Sequence, residues 1–210
     1  MSVSTKPQQK SAAPAVPPTP YEANNYEHLI GMPGFSEKLL KTHFKLYEGY
    51  VKNTNALVEE CRHLVSEDKA KTPVFAELKR RFGWEFNGMR LHEFYFDNLG
   101  GQQPLNDSSR LQGLLAANFG DYETWKADFT ATGAMRGIGW AILYQDSVTG
   151  RLFNAWIDEH NTNHLAGGEP LLVLDVFEHA FMTDYGTDRA SYINAFFKNI
   201  NWDVVASRAI

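Results

Sequence analysis

The chain has 210 residues, 43% of them hydrophobic and 13% aromatic, which is enough for one large domain or two small ones with a sizeable core. A net charge of −5 argues against a general nucleic-acid binder, which needs basic surface to meet phosphates. The single cysteine, Cys61, excludes an intrachain disulfide, and no apolar run approaches the ~18 residues that span a membrane.

The first twenty residues, MSVSTKPQQKSAAPAVPPTP, hold five of the nine prolines and lack the apolar centre of a secretion signal. They predict a disordered tail over residues 1–25 and a soluble, cytoplasmic protein. Ser36 reads as the N-cap of a long helix reaching about Val65, with Leu39, Leu40, His43, Tyr47, Tyr50, Leu57, Cys61 and Leu64 at three-and-four spacing. Cys61 falls on that stripe and reads as a buried thiol. Residues 67–86 are charged and mixed, and predict a connection with a short helix. A second helix fits NGMRLHEFYFDNL (87–99), with His92 on its inward face. The run GGQQPLNDSS breaks the pattern and marks a boundary between an N-terminal domain, 26–104, and a C-terminal one, 105–210.

In the second domain, helices are predicted over 108–118 and 121–134. GIGWAILYQD and RLFNAWIDE then read as strands joined by an SVTG turn. HNTNHLAGGE reads as a loop and PLLVLDV as a buried third strand. Helices over 177–184, 188–198 and 201–208 close the chain. The fold class is therefore α+β: an all-α helical hairpin domain, then an α/β domain with a three-stranded antiparallel sheet.

Asp175 and His179, four residues apart, can converge on one metal ion, although a helix cap and a core histidine would look the same in isolation. His43 and His92 also face inward from separate helices. Three buried imidazoles and a carboxylate without partners would be costly, and one ion would satisfy all four. His28 and His63 do not share the pattern and read as surface residues.

Five separated motifs, in order, resemble the iron/manganese superoxide dismutases over about residues 35–208. DVFEHAF (175–181) is similar to the family's D-x-W-E-H-A-Y, with Phe177 in place of Trp. YVKNTN (50–55), LHEFYFDNL (91–99), GIGWAIL (137–143) and NWDVV (201–205) resemble four further family segments. The resemblance implies one iron or manganese ion per subunit, held by His43, His92, Asp175 and His179 with one solvent molecule. It implies superoxide as substrate and a homodimer or tetramer, in which Glu178 reaches His179 of the partner subunit. Tyr50 would be the gateway tyrosine, Trp140 and Phe177 would line the site, and Arg189, with Lys45 or Lys52, would make a cationic funnel.

Several positions depart from the family. His43 and Tyr50 are seven residues apart where eight is usual, which keeps both on one face of a regular helix and removes a bulge. Gly88 stands where iron-type enzymes carry a Gln that bonds the solvent, as in manganese-type enzymes, leaving the metal open between the two. His160, with His164 behind it, is the candidate for that solvent-bonding role. Tyr47 and Met182 replace a His–Tyr pair that crosses the dimer, so Tyr47 needs another partner. A non-catalytic protein on the same fold and another mononuclear iron or metal-storage protein are the alternative readings.

Overall fold

Ser36 caps the first helix, α1 (Glu37–Ser66), by accepting a hydrogen bond from the Leu39 N–H. The structure, a computed structural model, describes residues 19–101, 103–106 and 109–210. Along α1 most of the expected stripe is buried, namely Leu39, Leu40, His43, Tyr47, Cys61 and Leu64, with Val51 and Thr54 beside them, whereas Tyr50 and Leu57 are only half-buried. The helix is unbroken between His43 and Tyr50, in keeping with the seven-residue spacing.

Helix α2 (Pro73–Asp97) is longer than expected, because part of the stretch read as a connection forms its first half. Thr72 caps it by accepting from the Phe75 N–H. Pro73 suits the first turn, where an N–H would lack a partner anyway. The two helices pack as a hairpin. Helices α3 (Arg110–Phe119) and α4 (Tyr122–Gly133) follow, capped by Ser109 and Asp121.

Strands β1 (Gly139–Asp146), β2 (Leu152–Asp158) and β3 (Gly168–Asp175) form an antiparallel sheet in the order β2-β1-β3. Their register sets Trp140 opposite Asp175. The free edge of β3 is covered by α2 rather than by another strand. There the buried Asn98 donates to the Val173 carbonyl (3.2 Å) and accepts from the Val173 N–H (3.0 Å), imitating a strand partner. Arg208, from the end of the chain, joins this seam by donating to the Leu171 carbonyl (2.8 Å) and to Asn98 Oδ1 (3.3 Å).

The helix expected over 177–184 is two short pieces, a 3-10 turn at Glu178–Ala180 and α5 (Met182–Tyr185). The break falls at Phe181, whose backbone (φ −143°, ψ −26°) leaves the helical region between the two pieces; upstream, Asp175 Oδ1 accepts from the Phe177 N–H as the chain turns after the strand. Helices α6 (Arg189–Lys198) and α7 (Trp202–Ser207) complete the fold. Asp184 ties this region back to α1, accepting from both the N–H and the hydroxyl of Ser36 at 2.6 Å.

The expected tail lies outside the described residues as far as residue 18. Residues 19–25, assigned to it from sequence, instead run along the hairpin. The Tyr21 N–H donates to Asn55 Oδ1, and its carbonyl accepts from Asn55 Nδ2, both at 2.8 Å. The Tyr21 ring packs edge-on against Phe86 beneath the Arg90 guanidinium. These contacts anchor a segment that composition alone marks as disordered.

Candidate metal centre

Helix α1 presents His43, α2 presents His92, and the strand end and following turn present Asp175 and His179. The Asp175 Oδ2 oxygen faces all three Nε2 atoms, at 3.0 Å from His43, 3.2 Å from His179 and 3.7 Å from His92. All four donor atoms lie within 4.8 Å of one another. His43, His92 and Asp175 are fully buried, and the His179 side chain keeps 22% exposure.

The tautomer of His92 follows from its surroundings. Its Nδ1–H donates to the Gly88 carbonyl at 2.5 Å, so Nε2 holds a lone pair. That Nε2 is buried without a hydrogen-bond partner among the described residues. Burying such an atom is unfavourable unless something binds it. Burial pushes the His43 imidazole down, and pushes His92 well below its usual range with the help of the nearby His43. Both therefore stay neutral and able to ligate. Burial alone would raise the Asp175 carboxyl, but its interaction with His179 and the hydrogen bonds from His179 and His43 hold it well below the usual carboxylate range. Three imidazoles and an ionised carboxylate suit a divalent or trivalent first-row ion such as iron or manganese.

Around this set the aromatic residues named from sequence are in contact. Trp140 meets His92 edge-on at 5.0 Å, and Phe177 stacks on both His160 (4.6 Å) and His179 (5.1 Å). Tyr50 stacks on His92 at 5.2 Å. A Cβ built on Gly88 would fall 2.5 Å from the Tyr50 ring, so the ring fills the room a larger residue would need there.

His160 is fully buried, and both its ring nitrogens are engaged. The Trp140 indole N–H can only donate, so His160 Nδ1 accepts from it at 3.1 Å. Burial pushes the His160 imidazole down to about 4, so the ring is neutral and its proton sits on Nε2. That N–H donates to the Tyr50 hydroxyl at 2.8 Å. Burial pushes the Tyr50 phenol up to about 12. His164 stays outside the ligand group: its Nδ1 meets the Tyr144 hydroxyl (2.8 Å), and its Nε2 meets the His160 carbonyl (2.9 Å), bracing the loop that carries His160.

Tyr47 finds its partners within the chain. Its hydroxyl donates to Glu93 Oε1 at 2.9 Å and accepts from the Asn24 N–H at 3.0 Å. Glu93 is held in turn by Arg90 at 2.5 Å. Glu178 is exposed, and its side chain has no partner among the described residues. Arg189 donates to the Met135 and Gly137 carbonyls, at 2.6 and 2.9 Å, and lies over the Phe181 ring. Lys45 lines a groove with Tyr47 and residues 23–27. His63 sits on the surface beside Glu67 (3.3 Å).

Four nitrogen and oxygen donors, shared between a helical hairpin and the end of a three-stranded sheet and walled by aromatic rings, make a three-histidine, one-carboxylate set able to hold a metal ion. Residues 107–208 match the family profile of the iron/manganese superoxide dismutases, C-terminal domain. The chain is 41% identical over 180 residues to an iron superoxide dismutase of Cupriavidus metallidurans, covering 83% of this chain and 88% of that protein. It is 37% identical to an iron superoxide dismutase of Aquifex pyrophilus, covering 83% and 84% of the two chains. It is 34% identical to a manganese superoxide dismutase of Haloferax volcanii, covering 91% and 92%. The chain belongs to the iron/manganese superoxide dismutase family.

Proposed function

We propose that the chain dismutes superoxide, converting two superoxide anions and two protons into one dioxygen and one hydrogen peroxide. The reading places one iron or manganese ion per subunit on His43, His92, Asp175 and His179. It is carried by the convergence of those four donors around a buried, unpartnered His92 Nε2. When bound, the ion supplies the one-electron chemistry, accepting an electron from one superoxide and returning it to a second.

The chain's own residues set protonation and access. Neutral His92 and ionised Asp175 keep their donor atoms free of protons, whereas His43 Nε2, 3.0 Å from Asp175 Oδ2, has to give up the proton it shares with that carboxylate. Because His160 donates to Tyr50, the Tyr50 O–H is directed away from His160 and left to donate to an arriving anion. Tyr50 is thus the group that hands on a proton, and His160, fixed by Trp140, holds it in place. Trp140 and Phe177 exclude bulk water from the imidazoles. Arg189 adds positive charge at the rim while bracing residues 135–137.

The reading extends to a homodimer, or a tetramer built from it, in which Glu178 pairs with His179 of the partner subunit, and to a cytoplasmic location. No described helix is long and apolar enough to cross a membrane. The test is metal analysis of the purified protein, followed by reconstitution with iron and with manganese. About one ion per chain and dismutation with at least one metal are expected. Bound metal without dismutation in either form would refute the activity and favour a non-catalytic role.

A further inference from the structure

Arg81 lies on α2, three residues before Trp84 and four before Glu85. Its guanidinium sits over the Trp84 ring, 4.9 Å from the centroid. Trp84 meets His160 edge-on at 4.8 Å, and His160 donates to Tyr50 at 2.8 Å. A continuous set of contacts therefore runs from this cation to the Tyr50 hydroxyl.

Glu85 fixes the same guanidinium from the other side. Its Oε1 accepts from Arg81 Nε at 2.8 Å and lies 2.7 Å from Nη2. The Glu85 side chain is only 5% exposed, whereas Arg81 keeps 54%. Asn53 Nδ2 donates to the other Glu85 oxygen at 3.2 Å. One edge of the guanidinium is thus locked, and Nη1 has no partner among the described residues. The Arg81 charge also reaches Tyr50 and His160, opposing the effect of burial on the first and adding to it on the second.

Two of the cations named for the funnel are placed differently. Both terminal nitrogens of Arg189 are occupied by backbone carbonyls. Lys45 borders the groove beside Tyr47, not Tyr50. An anionic substrate meeting a chain of net charge −5 needs a local positive field to arrive quickly.

We propose that Arg81 is the cation that draws superoxide to Tyr50, and that Glu85 sets how much of its charge the anion feels. This rests on Tyr50 bordering the reacting site, as proposed above.

The test uses the full-length, metal-loaded protein. For Arg81→Gln, kcat/KM for superoxide at ~10 mM ionic strength falls about two- to fivefold, and the loss fades toward ~1 M salt, where screening is complete. Azide, a small monoanion followed by the visible spectrum of the iron form, binds correspondingly more weakly. Arg81→Lys keeps most of the salt dependence. Glu85→Gln shifts kcat/KM the opposite way, raising the low-salt rate and steepening its fall with salt. That variant also carries the test if Arg81→Gln folds poorly. An unchanged salt slope in both Arg81→Gln and Glu85→Gln, or a loss in Arg81→Gln equal at every ionic strength, would make Arg81 a brace for Glu85 and overturn the proposal. Wild-type protein inactive with both metals would refute the activity itself, a result read before any variant is made.

Discussion

Replacing Asn98 by Ala tests whether one side chain joins the two halves of the molecule. Asn98 is fully buried. Its Nδ2 donates to the Tyr95 and Val173 carbonyls, and its Oδ1 accepts from the Val173 N–H and Arg208. Alanine leaves the buried Val173 N–H without a partner, a cost of about 1–3 kcal/mol, and removes one hydrogen bond to a charged group worth about 1.5–3 kcal/mol. Together these amount to roughly 2.5–6 kcal/mol. At about 2–4 °C per kcal/mol for a chain of this size, Tm falls by about 5–24 °C. Asn98 lies six residues after His92, and Val173 two before Asp175, so a loosened seam separates ligands of the two halves. Thermal unfolding of the metal-loaded protein by circular dichroism reads the first effect, and the rate of metal loss to a chelator reads the second. Asn98→Asp keeps the acceptor but sets a carboxylate against two carbonyls, so its Tm also falls. If Asn98→Ala melts within about 2 °C of wild type and releases metal no faster, apolar packing alone holds α2 to β3 and the reasoning is wrong.

Tyr47→Phe removes the bond to Glu93 and leaves the Asn24 N–H unmet, lowering stability by about 1–2 kcal/mol. Limited proteolysis should then cut within residues 19–25 sooner than in wild type. His160→Gln can still accept from Trp140 and donate to Tyr50, whereas His160→Ala can do neither. Dismutation should survive the first change and drop at least tenfold with the second, as rapid-mixing kinetics would show. His160 has a folded-state pKa depressed to about 4 from an ordinary 6.5, so its neutral form stabilises the fold fully above about pH 6.5. That contribution, up to about 3 kcal/mol, is lost as pH falls toward 4. In denaturant titrations of the metal-free forms, His160→Gln should lose less stability than wild type between pH 7 and 4.5; equal losses would rule out His160 as the source. Gly88→Ala drives its Cβ into the Tyr50 ring, so a cost of about 1–3 kcal/mol and a lower kcat are expected from melting and rate measurements.

The convergence of the four candidate donors was legible because each sits on a periodic, otherwise apolar face, and because local motifs surround them. His43 and His92 stand out on helical stripes, and Asp175 ends an apolar run. The first half of α2 was harder to read, since LKRR and Gly83 interrupt the pattern, yet Thr72-Pro73 is a cap-and-first-turn signal that marks the start. The split of the 177–184 stretch at Phe181 was hidden because no Gly or Pro there marks it. The partners of Tyr47 were out of reach for another reason. Asn24 lies in a proline-rich neighbourhood that composition marks as tail, and Glu93 is one more acid beside a ligand. Asn98 and Arg81 look like ordinary polar helix residues until the strand edge and the Trp84 ring are set beside them.

The two-and-two division of ligands also changes what the ion does to the chain. His43 and Asp175 are 132 residues apart in sequence, so an ion gripping both closes a very long loop. By the chain-entropy argument that applies to disulfides, such a closure removes about 4–5 kcal/mol of freedom from the unfolded chain. A bound ion would then be a reversible crosslink. After a single cut between α2 and α3, the two pieces would be held more tightly with the ion than by the Asn98 seam and the packing around it without it.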